Sequence, residues 1–194
     1  MTLLGILLRI YLFAGLAAHK LLWEVLKRRQ GPSSVQKAGG NTPFLRMVKA
    51  GKIAITVALF VQLFLPDILP ITDDTLIPRV AGAILFTFGL LIAILARLEL
   101  GNNWSDIETG QVKQNHMLVN HGVYRYIRHP IYTGDLALLL GFDLCLNSWL
   151  AIAVVIIAVP TIYKALREEK VLAETVTGYQ AYREQTKRFI PFVI

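Results

Sequence analysis

Three apolar segments in the first hundred residues are long enough to cross a bilayer: Leu3 to Val25, Ile53 to Leu69 and Leu76 to Leu98. A helix needs about 17–25 such residues to span hydrocarbon at 1.5 Å per residue. Inside lipid every backbone polar group must be satisfied within the segment, which leaves helices or closed barrels. The first segment is broken by Arg9 and by His19-Lys20, the second ends at Pro66 and Pro70, and the third is opened by Pro78, a first-turn position where the missing N–H costs little. Two shorter apolar runs follow, Leu136 to Leu146 and Trp149 to Tyr163, separated by Asn147-Ser148, with Pro160 near the end of the second. Asn-Ser is a turn signal. The pattern predicts an all-α integral membrane protein of five transmembrane helices, the last two forming a tight hairpin.

Charge supports that architecture. Only 17% of the 194 residues are charged and 55% are hydrophobic, against about 25% and 45–50% in soluble domains. The net charge of +7 lies mainly in loops and tail rather than in a Lys/Arg stripe interleaved with aromatics, so it reads as membrane orientation and not as nucleic-acid binding. The first loop carries Lys27, Arg28, Arg29, Lys37, Arg46, Lys49 and Lys52 without an acid; the second carries Asp67, Asp73 and Asp74 against Arg79. Basic loops stay inside. The expected topology therefore has the N-terminus outside, and the polar connector and C-terminal tail cytoplasmic. Gly31-Pro32-Ser33-Ser34 and Gly39-Gly40-Asn41 predict a flexible first loop.

The whole chain, 1–194, reads as a single membrane-embedded domain. Residues 1–98 hold three spans, 99–134 a cytoplasmic connector, 135–163 the hairpin and 164–194 cytoplasmic C-terminal helices. Within the last part Lys164/Glu168 and Lys170/Glu174 are spaced i,i+4, Gly178 suits a helix C-cap, and Phe189-Ile190-Pro191-Phe192 is an apolar end. The N-terminus lacks a basic n-region and a small-residue cleavage site, which predicts a retained helix. Cys145, the one cysteine, lies in an apolar run and reads as a small buried hydrophobe. No His or second Cys stands at metal-ligand spacing around it, so no metal site is expected.

Chemistry concentrates in Arg128-His129-Pro130-Ile131-Tyr132-Thr133-Gly134, at the mouth of the fourth apolar run, and in Glu168-Glu169 beyond the fifth. Ionisable groups at a lipid boundary are costly and commonly functional. Pro130 forces His129 out of helical geometry and starts a helix, Arg128 offers a planar fork for a carboxylate, and Tyr132 supplies a hydroxyl. From composition alone an interfacial anchor explains these residues as well as a site does. For Glu168-Glu169 spacing alone favours a solvated helix face. Upstream, Gly122 permits close approach or positive φ, and Leu118, Val119 and Val123 can wall a flat ring. A P-loop and a GxGxxG turn are both missing, which argues against a Rossmann-type nucleotide site.

The ordered set His116-x-Leu118-Val119-x-x-Gly122-Val123-Tyr124-x-x-x-Arg128-His129-Pro130-x-Tyr132-x-Gly134, then Glu168-Glu169 and Gly178-Tyr179-x-x-Tyr182, resembles the isoprenylcysteine carboxyl methyltransferases of the phospholipid methyltransferase superfamily. The short chain is similar to prokaryotic members. The resemblance covers roughly the C-terminal half. It implies S-adenosylmethionine as methyl donor, held in a cytoplasmic pocket that is not a Rossmann fold, and a lipid-tailed, prenylated acceptor reached from the bilayer lipids.

By that likeness His116, Leu118 and Val119 line the adenosine, and Gly122, Val123 and Tyr124 pass near the ribose and methionine parts. His129 and Pro130 close the wall, Glu168 meets a polar or cationic part of the donor, and Arg128 and Tyr132 lie toward the acceptor as catalytic residues. Asn120-His121 departs from the small hydroxyl residues common in the family, which affects the ribose contacts. Competing readings are an amine N-methyltransferase of phospholipid headgroups, a nicotinamide-dependent membrane reductase and a non-catalytic membrane scaffold.

Overall fold

The structure, a computed structural model, describes residues 2–29, 43–65, 67–103 and 117–193. The first-loop segment 30–42 read above as flexible, and His116, lie outside the described residues. Among the described residues six α-helices follow in order: α1 Leu3–Arg29, α2 Pro43–Phe64, α3 Leu76–Leu100, α4 Pro130–Cys145, α5 Ala151–Thr175 and α6 Tyr179–Gln185. Among the described residues extended structure is limited to two isolated bridges, Pro70 with Ser148 and Ile127 with Lys187. Helices α1 and α3 are long and apolar enough to cross a membrane.

The principal packing pair is α3 with α4, and glycine makes it possible. A Cβ on Gly82 would lie 2.1 Å from the Cys145 nitrogen, one on Gly141 2.2 Å from the Phe86 nitrogen, and one on Gly89 2.4 Å from the Leu138 nitrogen. The two backbones therefore touch. Small residues at helix interfaces are the means by which membrane helices gain close van der Waals contact, since burial of apolar side chains against lipid supplies no drive. The opposite face of α3 presents Ile77, Val80, Ile84, Phe88, Leu91 and Leu95 outward, and α5 exposes Ile152, Val155, Ile156 and Val159. Large apolar groups outside and glycines inside invert the soluble pattern and match a bundle solvated by lipid. Phe86, Leu138, Phe142 and Cys145 fill the seam, with Leu12 of α1 and Leu63 of α2 completing the core.

Element ends differ from the sequence reading where polar contacts intervene. Helix α2 stops at Phe64, before the expected Leu69, because the chain turns to stitch the distal end of the bundle. The Leu65 carbonyl accepts from Arg9 Nη2 at 2.7 Å, and Asp67 is bridged by Arg9 at 3.3 Å and Arg79 at 2.7 Å. Asn147, at φ 54°, donates to the Thr72 carbonyl, and Ser148 Oγ donates to that of Ile68. The α4–α5 turn is thereby tied to the α2–α3 loop. Pro130 opens α4 five residues before the expected 135, and α5 runs through Pro160 to Thr175. That extension carries Lys164, Glu168 and Glu169 beyond the apolar part of the helix. Gly178, at φ 81°, is the N-cap of α6, two residues after the α5 C-cap Val176.

Candidate active site

The chain returns to the end of α3 after its polar connector. Asn103 Oδ1 accepts from the Met117 N–H at 3.0 Å, and Glu99 Oε2 from the Val123 N–H at 2.8 Å. Gly122 sits at φ 56°, and a Cβ there would fall 1.8 Å from Glu99 Oε1. Both its handedness and the space thus call for glycine. The following 3-10 turn, Gly122–Arg125, buries Tyr124, whose carbonyl accepts from the Tyr182 hydroxyl at 2.7 Å. Burial pushes the Tyr124 phenol well above its ordinary range and that of Tyr182 up to about 12. Neither is available as a base at neutral pH. Leu118 packs against Val176, Tyr179 and Tyr182. A half-open, polar cavity of about 450 Å³ is lined by Leu118, Asn120, Gly178, Tyr182 and Gln185 among others. That volume is within the usual range for small-molecule sites.

Main-chain bonds then lay the tail alongside the motif. Lys187 N–H donates to the Tyr126 carbonyl, Arg128 N–H to that of Lys187, and His129 N–H to that of Arg188. Thr133 Oγ1 adds a bond to the Phe189 carbonyl at 3.0 Å. Pro130 occupies the first turn of α4 with His129 as N-cap, as the restriction on the residue before proline requires.

Glu169 is the centre of this end. Its Oε1 accepts from Arg128 Nε at 2.9 Å, Arg188 Nε at 3.0 Å and His129 Nε2 at 3.2 Å, and its Oε2 accepts from Arg188 Nη2 at 2.9 Å. Arg128 Nη1 also donates to the carbonyls of Arg183 and Thr186. Burial alone raises the Glu169 carboxyl, but the bonds from His129, Arg188 and Arg128 outweigh it and hold it well below the ordinary carboxylate range. The solvated-face expectation is overturned for Glu169, which is 4% exposed.

Glu168 differs. Its side chain is 30% exposed. Its Oε1 takes the Tyr132 hydroxyl at 2.7 Å and Lys164 Nζ at 3.3 Å. Its Oε2 lies 3.9 Å from His129 Nδ1 and accepts no hydrogen bond among the described residues. The rings of His129 and Tyr132 stack, 5.5 Å apart and 10° from parallel, and Lys164 Nζ stands 5.0 Å from the Tyr132 ring centre. A half-exposed glutamate side chain with a neighbouring cation and phenol can hold a cationic ligand beside an anionic one.

The structure thus brings Arg128, His129, Pro130, Tyr132 and Glu168 to one place. Leu118 lines the cavity against α6, which none of those five residues lines, the Tyr124 carbonyl accepts from Tyr182, half-buried Val119 follows Leu118, and Gly122 and Val123 abut Glu99. Sequence reasoning missed Arg188, Thr186 and Glu99, whose partners lie 19 to 58 residues away. Lys164 was visible only as half of an i,i+4 pair.

The phospholipid methyltransferase family model matches residues 77–177. Curated relatives include a protein-S-isoprenylcysteine O-methyltransferase of Tribolium castaneum, 29% identical over 56% of this chain and 42% of the relative. One of Saccharomyces cerevisiae is 28% identical over 74% of this chain and 62% of the relative. One of Dictyostelium discoideum is 36% identical over 27% of this chain and 22% of the relative. The chain therefore spans between about a fifth and three-fifths of these relatives. The solved structure of a eukaryotic intramembrane Ras methyltransferase, an isoprenylcysteine carboxyl methyltransferase, is similar with a TM-score of 0.58 at 22% identity, over 96% of this chain and 68% of the other. At that identity the likeness is one of fold.

Proposed function

The chain belongs to the phospholipid methyltransferase family, and on that premise we propose that it methylates the carboxylate of a prenylated cysteine or a similar lipid-tailed acid with S-adenosylmethionine. The observation that carries this reading is Glu168, a half-exposed side chain beside the His129-Tyr132 stack whose Oε2 accepts no hydrogen bond among the described residues. The names of the curated relatives support the choice of acceptor.

The donor, when bound, supplies an electrophilic methyl on a sulfonium. Glu168 meets a cationic part of it, with His129 and Pro130 as one wall. Leu118, Val119 and the 122–124 turn form the other, and His116 belongs with them by its place in the motif. A carboxylate acceptor is already nucleophilic at neutral pH and needs no base. It needs orientation, which is worth up to about 7–11 kcal/mol of barrier in well-oriented reactions, and partial loss of water. Arg128 is committed to Glu169 and the tail through Nε and Nη1, so only Nη2 is left to reach an acceptor. Lys164, seated over Tyr132, lies on α5, whose apolar face meets lipid. We assign the acceptor carboxylate to Lys164 and Arg128, with Tyr132 beside them. Five spans, a cytoplasmic site and an outside N-terminus complete the proposal, supported by the basic residues at the end of α1 and in the first turns of α2, where the sequence reading places Arg46, Lys49 and Lys52 in a loop.

The test supplies donor with a labelled methyl to the detergent-purified protein, with a prenylcysteine analogue in one arm and phosphatidylethanolamine in the other. Alkali-labile label on the prenylcysteine is the expected result. Alkali-stable label on the amine lipid would replace the acceptor with a headgroup amine, and no transfer with either, together with no binding of S-adenosylhomocysteine, would remove the proposal.

A further inference from the structure

Arg188 lies outside every motif; among the described residues its side chain bonds to Glu169 alone, and its carbonyl accepts the His129 N–H. Its Nε and Nη2 form a two-pronged bond to Glu169, 3.0 Å to Oε1 and 2.9 Å to Oε2, the geometry in which a planar fork is strongest. With Arg128 Nε also on Oε1, three guanidinium N–H groups donate to this carboxylate, which is therefore ionised and can only accept. The hydrogen between Glu169 Oε1 and His129 Nε2, 3.2 Å apart, must then come from the imidazole. A neutral imidazole carries one N–H. In that neutral form its Nδ1 is left as a lone pair on the side of Glu168 Oε2. Phe189, the next residue of the tail, lies against the same imidazole, ring centres 5.6 Å apart.

We propose that Arg188 is a positioning residue for donor binding: acting through Glu169, it fixes the tautomer and ring plane of His129 in the wall that the donor meets. This inference rests on the methyl-donor reading of the site. Arg128 cannot do the task alone, because it meets Glu169 through a single nitrogen while its Nη1 is drawn to the tail carbonyls.

Two measurements on the full chain in detergent test it. In calorimetric titration with S-adenosylhomocysteine, Arg188→Gln is expected to weaken binding about tenfold or more, by analogy with the loss of a partner that orients a metal-ligating histidine. The kcat at saturating donor and acceptor should change less than about threefold, by the same division of orientation from chemistry. Arg188→Lys keeps the charge, loses the fork, and should bind with intermediate affinity; it also serves if Arg188→Gln does not fold. Thr133→Val removes the hydroxyl bonds to the Phe189 and His129 carbonyls without touching Glu169, and should lose less affinity than Arg188→Gln. Wild-type affinity in both Arg188 variants, or an equal loss in Thr133→Val, overturns the inference. In the second measurement, nitrogen NMR of His129 should show the Nε2–H form in wild type and a mixture in Arg188→Gln. An unchanged spectrum overturns it too. If wild type binds no S-adenosylhomocysteine, the donor reading fails, and the NMR result still judges the role of Arg188 on the imidazole.

Discussion

At one end of the bundle Asp67 takes Arg9 from α1 and Arg79 from α3; at the other, Glu169 takes Arg128, His129 and Arg188 from two separate segments. Each carboxylate gathers arginines and ties together parts of the chain that hydropathy alone leaves independent. The difference lies in what stands next door. The neighbours of Asp67 are turn residues, Asn147 and Ser148, committed to the carbonyls of the α2–α3 loop. The neighbour of Glu169 is Glu168, half-exposed and only partly satisfied. One end closes the bundle. The other closes it with Glu169 and, in the proposed function, meets the donor with Glu168. Adjacent helical positions point about 100° apart, so one pair of residues divides the two tasks.

The largest effect that separates the ends should come from Glu169→Gln. Removing this charge leaves Arg128 buried and Arg188 half-buried without their counter-ion, and breaking such a buried pair costs about 3–5 kcal/mol. Unfolding in detergent should register that loss. A change under about 1 kcal/mol, the scale of an exposed pair, would mean the cluster is solvated and the comparison fails. The same group sets a pH dependence. Its folded value lies below the ordinary 4.5, so its contribution is complete above that value and is lost as pH falls below it. A stability profile flat from pH 5 to 3 in wild type, or equally sloped in Glu169→Gln, would contradict this.

Glu168→Gln should do the reverse. A hydrogen bond to a charged group is worth about 1.5–3 kcal/mol, which is roughly ten- to a hundredfold in affinity for S-adenosylhomocysteine. Stability should move by no more than about 0.5 kcal/mol, as for an exposed site. If Glu168→Gln unfolds the protein as Glu169→Gln does, the division of labour within the pair is wrong.

Asp67→Asn tests the closing end. The amide keeps an acceptor for one arginine and leaves the other short, at about 1–2 kcal/mol of stability. Affinity for S-adenosylhomocysteine in the folded protein should stay within about twofold, since independent distant sites add within about 0.5 kcal/mol. A tenfold loss would show that the two ends communicate through the α3–α4 seam.

Much of this contrast was invisible in the sequence for physical reasons. Hydropathy located α1, α3 and the α4–α5 hairpin because lipid selects on composition along a window. The seam of Gly82, Gly89, Gly134 and Gly141 escaped it, since small residues inside an apolar run leave the window average unchanged. Arg9 read as an interruption of a span and is instead a tie to Asp67 and Leu65. At the site, residues that share a short motif, Arg128 to Tyr132, were legible because local geometry from Pro130 fixes them together. Glu169 and Arg188 were not, because their meeting depends on the tail returning along Tyr126 to His129, and spacing carries no record of that.

The smallest effect expected is that of Tyr132→Phe. The phenol donates to Glu168 Oε1 at 2.7 Å, but Lys164 reaches the same oxygen at 3.3 Å, so the carboxylate keeps a partner when the hydroxyl goes. The ring also keeps its stack on His129 and its place under Lys164. What disappears is one hydrogen bond of ordinary net worth, about 0.5–1.5 kcal/mol, or roughly two- to tenfold in turnover or donor affinity. The division between the two falls on the chemistry. If Tyr132 serves only to hold Glu168, donor affinity changes and kcat at saturation does not. If it also meets the acceptor, kcat falls along with donor affinity. A titration with S-adenosylhomocysteine set beside single-turnover methyl transfer separates these outcomes. A loss of stability above about 1.5 kcal/mol, beyond one ordinary hydrogen bond, would place Tyr132 with the closing residues instead and blur the line between Glu168 and Glu169.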